Sequence, residues 1–274
     1  MMKKIVSRDN THIKQAAKLK NKKYRQQQKL YLIEGQRLVN EALMSNQVVE
    51  KVFVAEDFSI SDEMNRRLQN FDCYLIPPAL FSSITDTENP QGIAAIVQKP
   101  EPDRDILADN ITCLLLLDQI TDPGNMGTII RTAWAFNFDG IMLTPGCVDP
   151  YNPKVVRATM GGIFHLPVYE IDEQVLDGLI RSGYRLIGSY PDACNSIYEV
   201  DYTGPIVVVI GSEAQGISPA ISERCKVKAF IPVNSRVESL NAAVSCAIIM
   251  SEANRQRQRE TLSCDQSCAI IRLD

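Results

Sequence analysis

VVVIGSEAQGIS, residues 207–218, and FIPVNSRVESLNAAVSCAIIM, residues 230–250, are the parts of the chain from which its architecture follows. The first is a run of β-branched residues that ends at Gly211-Ser212-Glu213 and Gly216, the pattern of a buried parallel strand running into a tight loop whose backbone a ligand can approach closely. The second is a short apolar strand ending at Ile231-Pro232, a polar loop, and an apolar helix opened by Ser239-Leu240-Asn241, with Ser239 placed to act as N-cap. Two strand-end loops of this kind face one pocket in α/β proteins.

The 274 residues leave room for two domains and bury a full core without disulfides. With 45% hydrophobic and 23% charged residues, the composition is that of an ordinary soluble globular protein. No apolar run approaches the roughly 20 residues that span a bilayer, and MMKKIVSRDNTHIK at the start carries no apolar signal core. The expected location is therefore the cytoplasm, with no membrane partner. Eight cysteines (Cys73, Cys113, Cys147, Cys194, Cys225, Cys246, Cys264 and Cys268) are scattered without a CxxC pair, which reads as reduced thiols used as small core residues. Cys264 and Cys268 have no neighbouring His or second pair, so no metal site is expected.

The net charge of −4 hides an asymmetry: residues 1–29 carry ten Lys or Arg against Asp9 alone, which leaves the remainder near −13. A basic arm on an acidic body points to a polyanion, and nucleic acid suits it better than a membrane because the arm lacks a bulky apolar face.

Read in order, residues 10–28 form a helical pattern with Ile13, Ala16, Ala17 and Leu19 as its apolar stripe. Strands over residues 30–33, 48–54, 73–76 and 93–97 alternate with helices around 41–44, 63–68 and 80, which predicts a small α/β domain over residues 1–98. The proline- and charge-rich residues 99–110 read as a linker. A second domain, 111–274, opens with the buried strand 111–117, then the polar loop 118–127, and a helix from about 128 to 136 that carries Arg131 one turn from Gly127. A strand at 140–143, helices at 154–160 and 174–181, and a strand at 185–188 lead back to residues 207–250.

DPGNMGTIIRTA (122–133), IGSEAQG (210–216), and Ile231-Pro232 followed by Ser239-Leu240-Asn241 resemble, in order and spacing, the three motifs of the SpoU/TrmH family of RNA ribose 2′-O-methyltransferases in the SPOUT superfamily. The N-terminal part, with Glu34-Gly35, resembles the ribosomal-protein-like substrate-binding domain of several members. After Ile231-Pro232 the family has Met, any residue, then Gly, whereas Val233, Asn234 and Ser235 stand here. A non-glycine at a left-handed position is strained, so this departure bears on the shape of the cofactor loop.

The resemblance implies a parallel sheet with a deep trefoil knot, a homodimer formed through the knotted region, and S-adenosylmethionine as cofactor. It puts cofactor contacts at Ser189, Gly211, Ile231, Ser239 and Leu240, and catalytic roles at Asn125, Arg131, Glu213 and Asn241. In the family the arginine matched by Arg131 is assigned the role of base. A guanidinium pKa above about 12 favours a phosphate clamp and oxyanion stabiliser instead. Asn125 would orient Arg131 or the ribose, while Glu213 and Asn241 would brace loops or bind the target nucleotide. Each has a plainer role open to it: Asn125 as a helix cap, Glu213 as acceptor for loop amides, Ser239 as N-cap alone. Ribosomal RNA is preferred to transfer RNA as substrate. A non-catalytic RNA-binding assembly factor and a Rossmann-type nucleotide enzyme are the alternatives; the second lacks any G-x-G-x-x-G after its first strands. His12 and His165 have no metal-spaced partner and read as incidental, Trp134 reads as core packing, and Lys154 and Arg157 are equally a solvated face or an RNA contact.

Overall fold

The computed structural model describes residues 2–101, 111–237 and 239–261. Cys264, Cys268 and most of the expected linker lie outside them. The N-terminal part contains β1 (Lys3–Lys4), α1 (Thr11–Lys18), α2 (Lys22–Gln28), β2 (Leu30–Glu34), α3 (Gln36–Met44), β3 (Val49–Ala55), α4 (Asp62–Leu68), β4 (Cys73–Ile76), α5 (Pro78–Ile84) and β5 (Ile93–Gln98). Its strands form one sheet in the order β1-β4-β3-β5-β2, parallel except at β5, which runs antiparallel to β2 and β3. Side chains alternate between its faces: Tyr31, Ile33, Val52, Val54, Ala95 and Val97 share one core, and Leu30, Leu32, Phe53, Ala55, Ala94 and Ile96 share another with α1 and α5.

The second part contains β6 (Cys113–Asp118), α6 (Pro123–Ala135), β7 (Gly140–Leu143), α7 (Pro153–Ala158), a 3-10 turn (Gly162–Phe164), β8 (Val168–Glu170), α8 (Glu173–Arg181) and β9 (Arg185–Ser189). There follow β10 (Asn195–Ser196), β11 (Ile206–Gly211), α9 (Pro219–Ser222), β12 (Val227–Phe230) and α10 (Ala242–Thr261). Seven strands, all parallel, lie in the order β10-β12-β9-β11-β6-β7-β8. β6 and β11 are central and apolar up to their last residues, Asp118 and Gly211, because both faces are covered: Leu115 and Leu117 point into the core with α6, α7 and α10, Leu114 and Leu116 into the core with α8 and α9.

The two sheets share a core, and Tyr31 packs on Tyr151 with ring centroids 4.9 Å apart. Arg25 crosses the same seam. Its Nε and Nη2 donate to Asp149 Oδ2 at 3.0 and 2.6 Å, and its Nη1 donates to the carbonyls of Leu19 and Lys20, both at 2.8 Å.

Several expectations are corrected here. Residues 10–28 form two helices, because Leu19–Asn21 turn and Asn21 caps α2 by accepting from the Tyr24 amide. The basic segment is no free arm: Lys3, Lys4, Lys14, Lys20 and Lys29 pair with Asp72, Glu56, Asp9, Asp86 and Glu101, and Arg25 is buried. α6 starts at Pro123, with Asp122 accepting from the Asn125 amide, so residues 123–127 are its first turns, not loop. Gly127 serves helix packing, since a Cβ there would lie 2.4 Å from Ala158 Cβ on α7. Asn241, not Ser239, caps α10: its Oδ1 accepts from the amides of Ala243 and Val244. Trp134 is not core; it is 41% exposed. Cys73, Cys113, Cys225 and Cys246 are free, buried thiols, whereas Cys194 is exposed.

Candidate active site

A cleft of about 510 Å³ opens at the carboxyl ends of β9, β11 and β12, where parallel α/β sheets place their ligands. Ser189, Gly211, Ile231, Ser239 and Leu240, the residues assigned to the cofactor from sequence, all line it, together with Ile210, Phe230, Val233 and Val237. Among the described residues, Glu213 is the one charged side chain in that lining.

Gly211 is glycine because its own loop returns over it. A Cβ at this position would stand 2.1 Å from the Gly216 carbonyl carbon and 2.3 Å from the Ile217 amide, and Ser212 and Gly216 form an antiparallel bridge. Gly216, at φ 68°, supplies the left-handed residue that the return needs. The loop's far end is tied to β6 by Asp118, which is 1% exposed: Oδ2 accepts from the Ser218 amide at 2.7 Å and Oδ1 from Thr144 Oγ1 at 2.8 Å. Sequence reasoning missed this residue, although a carboxylate ending the apolar run CLLLLD was its signal.

The loop after β12 does not carry the strain expected of Val233-Asn234-Ser235. Among the described residues, left-handed non-glycines occur only at Lys29, Gln119, Asn137 and Met160. Asn234 closes a turn instead, its Oδ1 accepting from the Arg236 amide at 3.0 Å and its carbonyl from the Val237 amide at 2.9 Å. A glycine is not needed where no positive φ is adopted.

At the cleft rim three distant segments meet. Capping fixes the direction of the whole chain of amides: Asn241 Oδ1 is occupied by the helix N–H groups, so its Nδ2 faces outward and donates to Asn125 Oδ1 at 2.9 Å. Asn125 Nδ2 is then left to donate to Glu213 Oε1. The structure thus joins Asn125, Glu213 and Asn241, residues 88 and 116 apart in sequence. It does not join Arg131 to them. The side-chain amide of Asn125 bonds Glu213 and Asn241, whereas Arg131 is exposed and its side chain has no ion-pair or hydrogen-bond partner among the described residues.

The cleft wall also contains Tyr190, which the sequence did not single out. Its hydroxyl donates to Ser222 Oγ at 2.8 Å, and burial pushes its pKa up to about 12, so it stays a neutral donor. Of the other candidates, Lys154 is exposed, Arg157 turns toward Glu34 Oε2 at 3.9 Å, and His12 packs at a tilt against Tyr74, its Nε2 3.2 Å from the Tyr74 hydroxyl. No group of His, Cys, Asp and Glu among the described residues could hold a metal ion, and no helix among them is long and apolar enough to cross a membrane.

Comparison with known proteins identifies this arrangement. The SpoU rRNA Methylase family matches residues 112–251, and the MRM3-like substrate binding domain matches residues 10–95. The 23S rRNA (guanosine(2553)-2'-O)-methyltransferase RlmP of Bacillus subtilis is 34% identical over 250 residues, 91% of this chain and 98% of that protein. Among solved structures, the SpoU methyltransferase AviRb of Streptomyces viridochromogenes in complex with AdoMet aligns with a TM-score of 0.83 at 28% identity, over 91% of this chain and 98% of that one. The AdoMet-bound rRNA methyltransferase of Sinorhizobium meliloti aligns equally well, with a TM-score of 0.83 at 28% identity over 93% and 98%. With more than half of its length matched by the family, and its cleft formed by the segments that carry the family's motifs, the chain belongs to the SpoU rRNA methylase family of methyltransferases.

Proposed function

We propose that the protein transfers a methyl group from S-adenosylmethionine to a ribose 2′-hydroxyl of RNA, with ribosomal RNA ahead of transfer RNA, in the cytoplasm. The observation that carries this reading is the cleft whose rim ties Glu213 and Asn241 to Asn125 at the start of α6, the helix that also presents the unpartnered Arg131.

The cleft fits the cofactor. Its volume suits a nucleoside-sized ligand, Ile210, Ile231, Val233 and Leu240 offer apolar walls for an adenine, and the strand-end backbone at Gly211 and Ile231 offers hydrogen bonds. When bound, S-adenosylmethionine supplies a sulfonium methyl that is already electrophilic. The protein's part is to position the ribose and stabilise charge on its oxygen. Arg131, a permanent cation, clamps an RNA phosphate and stabilises that developing negative charge. Asn125, Glu213 and Asn241 hold the rim in one geometry, so the cofactor loops and α6 do not drift apart. The same reading divides the chain into an RNA-binding domain (1–98), a linker (99–110) and a knotted methyltransferase domain (111–274). It makes the protein a homodimer through that last domain, with Val244, 49% exposed on the outer side of α10, as an interface residue. A sheet in which β11 sits between β6 and β9 supports the knotted path.

The test is methyl transfer from labelled S-adenosylmethionine to ribosomal and transfer RNA lacking their modifications. Labelled 2′-O-methylnucleoside is expected from ribosomal RNA, and Arg131→Ala is expected to lower the rate about 100-fold or more while cofactor binding, read by calorimetry, survives. Label on transfer RNA alone overturns the substrate choice. Cofactor binding without transfer to either RNA overturns the catalytic reading.

A further inference from the structure

Trp134 is the single tryptophan of the chain, and 41% of it is exposed although His165 already covers one face of the indole. The two rings lie 4.4 Å apart between centroids and 6° from parallel. An exposed aromatic on a helix needs no explanation by itself, but this one is held in place from both domains. His165 is fixed by the hydrogen bond between its Nε2 and Glu41 Oε1 on α3, 2.7 Å long, and Gln47 Nε2 donates to the neighbouring Phe164 carbonyl at 3.2 Å. The turn that carries His165 fits between α6 and α3 because it contains two glycines: a Cβ on Gly162 would lie 3.3 Å from Arg131 Cα, and one on Gly161 3.1 Å from Glu41 Cγ. Three residues before Trp134, and so on the same side of α6, stands the exposed Arg131. A cation and a flat, pre-set aromatic one helical turn apart match a phosphate and a base of one strand.

We propose that the indole of Trp134 is a stacking platform for an RNA nucleobase beside the target ribose, with His165 and Glu41 as the residues that position it. The inference rests on the ribose-methylation reading for its ligand, and it assigns a base-binding subsite outside the cofactor cleft. Stacking uses the π-face that every base has, so the subsite strengthens RNA binding without reading sequence.

Because the chain has no other tryptophan, fluorescence excited to the red of tyrosine absorption reports this ring alone. Oligoadenylate of about a dozen nucleotides is titrated into the full-length protein, and methyl transfer to ribosomal RNA is measured in parallel. Quenching is expected. Trp134→Leu should raise Kd for the oligonucleotide and KM for RNA about 10-fold, with kcat and S-adenosylmethionine affinity changed less than about twofold. Trp134→Phe should restore most of the loss, and His165→Ala should fall between. An unquenched wild type, or a Leu variant with the wild-type KM, overturns the proposal. So does emission that follows protein concentration and not RNA, which assigns the ring to a contact between two copies. Quenching in a wild type that methylates no RNA, with weakened binding in the Leu variant, upholds the platform and overturns the methylation reading instead.

Discussion

At the seam between the sheets, Asp149 accepts from the Arg25 guanidinium where 7 and 4% of the two side chains are exposed; at the cleft rim, Glu213 accepts from the Asn125 amide in the open. Both contacts join segments far apart in sequence, and both centre on a carboxylate. They differ in what surrounds them. At the seam the guanidinium is further occupied by two carbonyls, and Asp149 Oδ1 accepts from the Tyr151 amide, so little of either charge is left for water or ligand. The rim contact remains wet, reachable and next to a cleft. Burial turns the same chemistry into a fastener in one place and a working edge in the other.

The comparison is broken most sharply at the seam. Asp149→Ala leaves a buried, unpaired guanidinium and is expected to cost about 3–5 kcal/mol of stability, seen as a lower denaturant midpoint. If cofactor affinity falls and the midpoint does not, the seam is no fastener. Asn125→Ala should show the opposite profile: its contacts are exposed, so the midpoint moves little, while kcat/KM falls about 10-fold because Glu213 and Asn241 lose their common partner. Equal shifts in midpoint and rate for both variants would erase the distinction.

A finer measurement compares the core behind Tyr190 of the cleft wall with the N-terminal core. Burial pushes the thiols of Cys225, which lies under Gly188 and beside Tyr190, and of Cys73 from the ordinary 9.0 up to about 11. The unfolded chain ionises these thiols first, so the folded state holds more protons above pH 9. Their contribution to stability is whole below that pH and is lost as pH rises toward about 11. Denaturant midpoints should fall across this window, and Cys225→Ala and Cys73→Ala should each flatten the slope. A smaller flattening from Cys225→Ala than from Cys73→Ala would show that the core behind the cleft wall is the wetter of the two. The smallest effect is expected from Ser235→Gly, less than about twofold in S-adenosylmethionine affinity, since the loop already forms without a left-handed residue. A larger gain in affinity would restore the strain argument.

What the sequence made legible was the alternation of strands and helices and the motif segments, because β-branched runs such as 206–211 and glycine loops such as 211–216 are determined by local chemistry. All five residues assigned to the cofactor line one cleft for this reason. What it hid depends on partners far along the chain. Nothing local says that Arg25 finds Asp149, that Asn125 spends its amide on Glu213 and Asn241, or that Asp118 reaches Ser218. Local signals were also misweighed. Asn21 marked a helix break inside residues 10–28, and Asp122-Pro123 a helix start, by ordinary capping. Trp134 read as core because a lone apolar residue on a helix usually is, and only the folded chain shows His165 beside it with solvent around the rest.

The shared core and the buried Arg25 have one more consequence. Under the proposed function, two sheets packed through one core form a gauge of fixed span, set between the surface proposed to bind RNA and the cleft proposed for methyl transfer. Choice of target then becomes a matter of length: an RNA with one nucleotide inserted between those points is expected to lose methylation although every base the protein touches is unchanged. Retained transfer to such an RNA would mean that the ruler bends.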